Sequence, residues 1–333
     1  MGRLAHRFFY IIPPPYIFRK AGESRLRYYF RKYLKRRVLP PTGGVKIILQ
    51  HCDFLNKQGY QAFPVHAGNF TVGYHEHATP HITLKQALKI MREEDIVIIP
   101  EMMPYVVSQF KCKTRISLVQ QRLGNPPDFQ ALGYTHILCI SDLLLQETTH
   151  YSALPKFLVM NGIDLSAFKP DPAIREVNRV IFLNFKNADL ANRVVGKLNP
   201  EIKNRVNILG LDAVYKQHEL IEQFQRTDVF MATAFPEGFS LPPLEAMACG
   251  CAVVGCTGGG AGQYMHDNKT ALVVPDGDVD QFVKALEAIL TDNALKERIR
   301  EAGIQEAKNY SVDRMERELL VFAEKICAEA SSS

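Results

Sequence analysis

The sequence has no long apolar run. Segments such as DIVIIP, from Asp95 to Pro100, end after a few residues, far short of the ~20 needed to cross a bilayer. It has no CxxC pair, and its seven cysteines, at 52, 112, 139, 249, 251, 256 and 327, are odd in number and scattered. Reduced thiols in a cytoplasmic compartment are the expectation. No low-complexity tract is present, nor any repeat at the roughly 20–50-residue periods of solenoids. The start, MGRLAHRFFYIIPPP, has an apolar core too short and too quickly stopped by proline for a signal peptide. GCTGGGAG, from Gly255 to Gly262, lacks G-x-G-x-x-G spacing, which argues against nicotinamide chemistry.

What is present is a globular composition, 47% apolar and 23% charged over 333 residues, a length that suits two domains. Acid is nearly absent from one end. Residues 1–40 hold eleven Arg or Lys against one acid; the whole chain carries +5, so the other 293 residues carry −5. Between Ser24 and Leu39 the apolar Leu26, Tyr29, Phe30, Tyr33 and Leu34 fall at helical spacing, and basic residues fill most of the rest. A basic amphipathic insertion over residues 16–39 is expected to rest on an anionic membrane surface, with ~1 kcal/mol gained per cation. A solvated basic face is the bland alternative. The apolar stripe argues against nucleic acid as the partner.

Along the chain, strand-like and helical segments alternate. FFYII (Phe8 to Ile12) is stopped by three prolines; after PPTGG, VKIILQHCDFLNKQGY reads as a helix closing at Gly59. DIVIIP, RISLVQ and HILCIS then alternate with helical ITLKQALKIMR and DLLLQETTHY. NGIDLSAFKPDP, from Asn161 to Pro172, is rich in turn formers and marks a boundary. A second series follows: RVIFLNF, a helix through Leu198, RVNILG, a helix from His218, DVFMATA, CAVVGC and ALVVPDGD. Two long helices, from Val279 and from about Val312, are expected to close the chain. This rhythm implies two doubly wound parallel sheets covered on both faces.

EGFSLPPLEAMACG, from Glu237 to Gly250, follows the strand DVFMATA and so lies at a strand's carboxyl end, where α/β sheets bind ligands. Ser240 is expected to cap a helix that Pro242 and Pro243 begin, leaving free backbone N–H groups and a partial positive charge facing an anion. Gly238 permits close backbone approach. Glu237 and Glu245, on either side, are acceptor-only groups suited to paired hydroxyls. The bland alternative is an acid stabilising a helix N-terminus. His75, His77 and His81 in HEHATPH have no accompanying carboxylate or cysteine framework and read as loop histidines rather than a metal site. Cys249 and Cys251, between a helix and a strand, read as small core residues.

The complete string, with E-x(7)-E between Glu237 and Glu245, resembles the donor-site signature of retaining glycosyltransferases of family 4, which have the GT-B fold. Gly43-Gly44 before the first helix, NGID with Phe168 and Pro170, TGGGAGQY and ALVVPDGD stand in register with it. The resemblance is strong over about residues 161–290 and collinear before them. It implies two Rossmann-like α/β domains facing a central cleft. Residues 1–170 would bind acceptor, 171–312 would bind donor, and 313–333 would cross back onto the first domain. Glu237 would hold the donor sugar and face the reacting carbon. Gly238, Phe239, Ser240 and Leu241 would present amides to sugar and diphosphate. Glu245 would hold the ribose, and Gly43 and Gly44 would lie against the diphosphate. Where the family shows Gly-Arg and then Lys, this chain reads LNFKNADLANR, so Phe185 replaces the Arg. Lys186 is then the catalytic-site cation and Arg193 its reserve. The usual first-domain histidine is missing; Glu101, Gln120 and Gln121 are the acceptor-side polar groups.

The implied activity is retaining transfer, of hexosyltransferase type, from a UDP- or GDP-linked sugar to a hydroxyl of a glycan or lipid-linked acceptor, in cell-surface polysaccharide assembly. No metal or other cofactor is expected. The location expected is cytoplasmic, peripheral on the membrane face. A GT-B sugar-nucleotide epimerase and a weakly active membrane-associated scaffold are the alternatives.

Overall fold

The computed structural model describes residues 6–14, 24, 37–39, 43–68, 70–72, 77–212 and 215–332. Most of the basic insertion therefore lies outside the described residues, as do His75 and residues 213–214. In chain order the first half runs β1 (Arg7–Ile12), β2 (Arg37–Leu39), α1 (Gly43–Lys57), β3 (Gln61–His66), β4 (Phe70–Val72) and β5 (Ile82–Thr83). It continues with α2 (Leu84–Ile90), β6 (Ile96–Pro100), β7 (Thr114–Val119), β8 (His136–Cys139), α3 (Asp142–Tyr151) and β9 (Lys156–Leu158). Seven of these strands form one parallel sheet in the order β5-β3-β1-β6-β7-β8-β9. Its central strands read as unbroken apolar runs because both faces are covered; Phe8 to Ile12 and Ile96 to Ile99 are fully buried.

The second half runs β10 (Arg179–Leu183), α4 (Ala188–Lys197), α5 (Pro200–Lys203), β11 (Asn207–Leu211), α6 (Gln217–Gln225), β12 (Val229–Ala232) and α7 (Leu241–Ala248). Then come β13 (Ala252–Gly255), β14 (Leu272–Val273), α8 (Val279–Thr291), α9 (Asn293–Ala307) and α10 (Val312–Ser332). Its five-stranded sheet, also parallel, has the order β11-β10-β12-β13-β14. At the base of this sheet Asp228 is buried between Lys296, at 2.8 Å, and Arg300, tying α9 to β12. Those partners and the Asn178 amide hold its carboxyl below the usual carboxylate range although burial pushes it up.

Three expectations need correction. Three helices, not two, close the chain: Asp292 ends α8, and its side chain accepts from the Leu295 amide at 2.9 Å to start α9. Arg37–Leu39 are not the end of a helix but a strand paired in parallel with Phe70–Val72, as suits the β-branched Val38. Gly43 and Gly44 do not precede the first helix; they are its first two residues.

Helix α10 packs on the first sheet. Phe322 meets Phe157 edge-on at 5.1 Å, Glu329 reaches His136 at 2.9 Å, and Glu318 accepts the Met160 amide at 2.7 Å. The link between the halves is braced where it passes the start of this helix. Ile163 donates to the Tyr310 carbonyl at 2.8 Å and accepts from Val312 at 2.9 Å. Gly162 is required here, because a Cβ would stand 2.5 Å from the Ser311 carbonyl oxygen.

Candidate active site

The chain leaves β12 through a cis Phe235–Pro236 bond and enters the loop that carries Glu237. A second loop after β13 holds this one from behind: Glu237 donates to the Gly258 carbonyl at 2.9 Å, and Gly260 donates to the Glu237 carbonyl at 3.1 Å. Gly258 and Gly259 have φ of +59° and +87°, and a Cβ on Gly260 would lie 2.4 Å from the Gly238 carbonyl carbon. This crossing explains why TGGGAG carries three consecutive glycines. The Tyr264 hydroxyl donates to the carbonyls of Phe239, at 3.3 Å, and of Ser240.

Ser240 does not cap α7. Its φ is +65° and its side chain makes no capping bond. The amides that an N-cap oxygen would receive belong to the second and third helical residues, here Pro242 and Pro243, which have none. The sequence reading of several free amides is corrected accordingly: of the first three helical positions only Leu241 offers an N–H. The helix dipole remains.

Lys186, just past β10, donates to Glu237 Oε1, and its carbonyl accepts from Thr233. Beside this pair a small, open cleft is lined by Leu183, Lys186, Thr233, Ser240, Pro242 and Cys256. It lies at the carboxyl ends of β10, β12 and β13. Arg193 is elsewhere: it points outward from α4, 61% exposed, with Asp189 at 3.8 Å. Phe185 is also exposed.

Glu245 is met from the opposite domain. The Lys46 ammonium, from the first turn of α1, lies 2.9 Å from Glu245 Oε1, and both side chains are nearly inaccessible. Lys46 also stands 5.0 Å over the ring of Phe168. Sequence reasoning missed Lys46; its place three residues after Gly43 was the available signal. The two domains are in close contact around it. A Cβ on Gly43 would touch Leu241 at 3.1 Å, and one on Gly238 would lie 2.2 Å from the Gln120 carbonyl oxygen. Ser141 Oγ donates to the Gly238 carbonyl at 2.7 Å. Gly238, Phe239, Ser240 and Leu241 are consequently buried.

Of the residues expected on the acceptor side, Gln120 donates to the Gly44 carbonyl at 3.1 Å, while Gln121 is exposed. Glu101 lies behind the rim, 4% exposed, accepting the Gln120 amide at 3.2 Å, with Oε1 unpartnered. Burial pushes its pKa up to about 7 against the pull of neighbouring amides. His81 lies between His66 and His77, and burial and its two neighbours lower its pKa to about 4. Among the described residues no group of three His, Cys, Asp or Glu is set to hold a metal ion, and no helix is long and apolar enough to cross a membrane. All seven cysteines are buried free thiols.

Residues 185–306 match the family model described as Glycosyl transferases group 1. The D-inositol 3-phosphate glycosyltransferase of Kribbella flavida is 28% identical over 249 residues, which are 58% of this chain and 58% of that protein. The chain thus spans little more than half the length of that relative. Sucrose-phosphate synthase from Thermosynechococcus elongatus superposes with a TM-score of 0.69 at 13% identity, covering 97% of this chain and 100% of that one. Anabaena HepE in complex with UDP-glucose gives 0.69 at 11% identity, covering 96% and 99%. Two parallel α/β domains in contact through the loop that carries Gly238, with these neighbours, make the architecture GT-B, and residues 185–306 match the glycosyl transferases group 1 domain.

Proposed function

We propose that the protein is a retaining glycosyltransferase of family 4 type that moves a sugar from a nucleoside diphosphate to a hydroxyl acceptor. The observation that carries this reading is the placement of Glu237 and Glu245 on either side of one buried turn, each carboxylate bound to a lysine at the rim of the group 1 domain. In this reading Glu237 holds the donor sugar beside its reacting carbon and Glu245 holds the ribose. Lys186, the α7 dipole and the amides of Gly43 and Gly44 meet charge developing on the leaving diphosphate, a preorganised form of stabilisation. The acceptor hydroxyl attacks from the face the diphosphate leaves, and the departing phosphate oxygen takes its proton, so that neither a separate base nor a metal is required. Gln120, and Gln121 beside it, stand on the acceptor side.

Because the amides of residues 238–241 are covered by the first domain, donor entry requires the domains to part and close again. UDP is the favoured donor nucleotide, since a neighbour of the same fold is in complex with UDP-glucose. The acceptor is a glycan or a lipid-linked glycan in cell-surface polysaccharide assembly, a setting taken by analogy with similar folds. The basic segment 16–39 would dock the cytoplasmic membrane face. Changing Arg31, Lys32, Lys35, Arg36 and Arg37 to Gln is expected to abolish flotation with anionic liposomes; equal flotation removes the membrane role.

Incubation with UDP-, GDP- and ADP-linked sugars, scoring nucleoside diphosphate release with and without acceptor, tests the activity. Acceptor-dependent release, with the donor's anomeric configuration kept in the product by NMR, is expected. Donor consumption that needs no acceptor would instead mark an epimerase, and binding without turnover would mark a scaffold.

A further inference from the structure

Lys46 is in an expensive place. It sits in the first turn of α1, which contains no acid, so its charge opposes the helix dipole. Its side chain is 11% exposed and that of Glu245 6%, and a pair so desolvated adds little net stability over apolar residues of similar size. Neither the helix dipole nor fold stability therefore accounts for a charged residue here. The surroundings hold its charge in place. Phe168 lies under it, and Asp164 of the interdomain stretch feels it. Burial raises the Asp164 pKa, but the Ser166 hydroxyl, the Ser166 and Ala167 amides and then Lys46 outweigh it and bring it below the usual range.

Charge balance at the cleft assigns Lys46 a task. The two acids and their two lysines sum to zero. A nucleoside diphosphate sugar offers neutral hydroxyls to the acids but brings about two negative charges on its phosphates, which require cations. Once sugar and ribose hydroxyls engage Glu237 and Glu245, both ammonium groups lose their partners beside those phosphates. Lysine suits such a transfer, being a compact charge on a flexible four-carbon stem. Arg193 is directed away on α4 and Phe185 is uncharged, so the second sheet provides Lys186 alone at this rim among the described residues considered for the role.

We propose that Lys46 is a donor-binding residue, held by Glu245 across the domain interface until the ribose displaces it, then neutralising the diphosphate from the first domain. This inference rests on the nucleotide-sugar reading above. It makes the closed contact around Lys46 a rehearsal of the donor-bound state, with the first domain contributing a cation as well as glycine amides.

The test is a binding cycle on the full chain with wild type, Lys46→Met, Lys46→Arg, Glu245→Gln and the double variant Lys46→Met/Glu245→Gln. Calorimetry would compare UDP, GDP and ADP with their nucleosides, and a melting curve would check each variant's fold. Lys46→Met is expected to weaken diphosphate binding by about tenfold or more while nucleoside affinity holds or rises, and Lys46→Arg to stay within about threefold. In the Glu245→Gln background, where the resting ion pair has lost its negative charge, losing Lys46 should again cost about tenfold for the diphosphate. That comparison decides the matter even if Lys46→Met alone folds poorly. Unchanged or tighter diphosphate binding on losing Lys46 would reduce it to a latch and overturn the proposal, as would equal losses for nucleoside and diphosphate. If wild type binds none of the three diphosphates, the nucleotide-sugar reading itself falls.

Discussion

The ammonium of Lys186 donates to the carboxylate of Glu237 across the mouth of the cleft, joining the end of β10 to the loop after β12. Both groups are partly open to solvent, so the pair is a weak contributor to stability. In the proposed reading it holds two groups with different tasks in place until the donor engages them.

Those tasks are expected to separate on mutation. Glu237→Gln is expected to lower sugar transfer by about a hundredfold or more while UDP affinity changes by less than about threefold, since a group acting at the reacting centre appears in kcat. Lys186→Ala is expected to weaken UDP binding by about tenfold as well as slowing transfer. Steady-state kinetics with parallel calorimetry make the comparison; equal effects of the two variants on UDP binding would contradict the division of labour.

At Gly238 the two domains are in close contact. A Cβ there would stand 2.2 Å from the Gln120 carbonyl oxygen and 3.0 Å from Leu144 Cδ1. Gly238→Ala should leave each sheet folded but prevent closure, reducing turnover by about a hundredfold through lost positioning. Far-UV circular dichroism and turnover, measured together, check both halves of that statement. Normal turnover in this variant would show that catalysis does not use the closed contact.

Glu101 makes stability depend on pH. Its pKa is about 7 in the folded protein, above the ordinary 4.5, so between these values the unfolded chain loses a proton that the folded chain keeps. Stability is therefore full below about pH 4.5 as far as this group is concerned, falls as pH rises toward 7, and is level above that. The total is on the order of 3 kcal/mol. Glu101→Gln, which mimics the protonated form, should flatten this slope and raise stability most at pH 8. Urea unfolding from pH 5 to 8 measures it; parallel curves for the two proteins would rule the group out.

Gly162→Ala tests how the closing helix is attached. The new Cβ would meet the backbone of Ser311 and Val312 at 2.5–2.9 Å, with no flexible side chain to yield. A loss on the order of 2–4 kcal/mol is expected, together with faster proteolysis near residue 311, where α10 begins to pack on the first sheet.

Much of this was legible in the sequence because local and global signals agreed. Phe8 to Ile12 and Ile96 to Ile99 read as buried strands because a parallel sheet covered on both faces needs no alternation, and Glu237 to Gly250 announced its own loop and helix. What was not legible depended on contacts between distant segments. Ser240 looked like a cap from composition, yet the two prolines that made the helix start plausible also removed the amides a cap would serve. Asp292 was hidden inside a long amphipathic pattern that it divides. Lys46 and Glu245 are 199 positions apart, and only the packing of one domain on the other makes them a pair.

The most direct measurement is nucleotide-sugar turnover by the double variant Glu237→Gln/Glu245→Gln beside wild type, with melting curves for both. Two carboxylates that grip a sugar and its ribose require consumption of the donor to fall by about a hundredfold or more and donor affinity to fall with it, while the fold survives. A folded double variant that binds and consumes the donor as wild type does would show that the paired acids belong to the architecture and not to the chemistry.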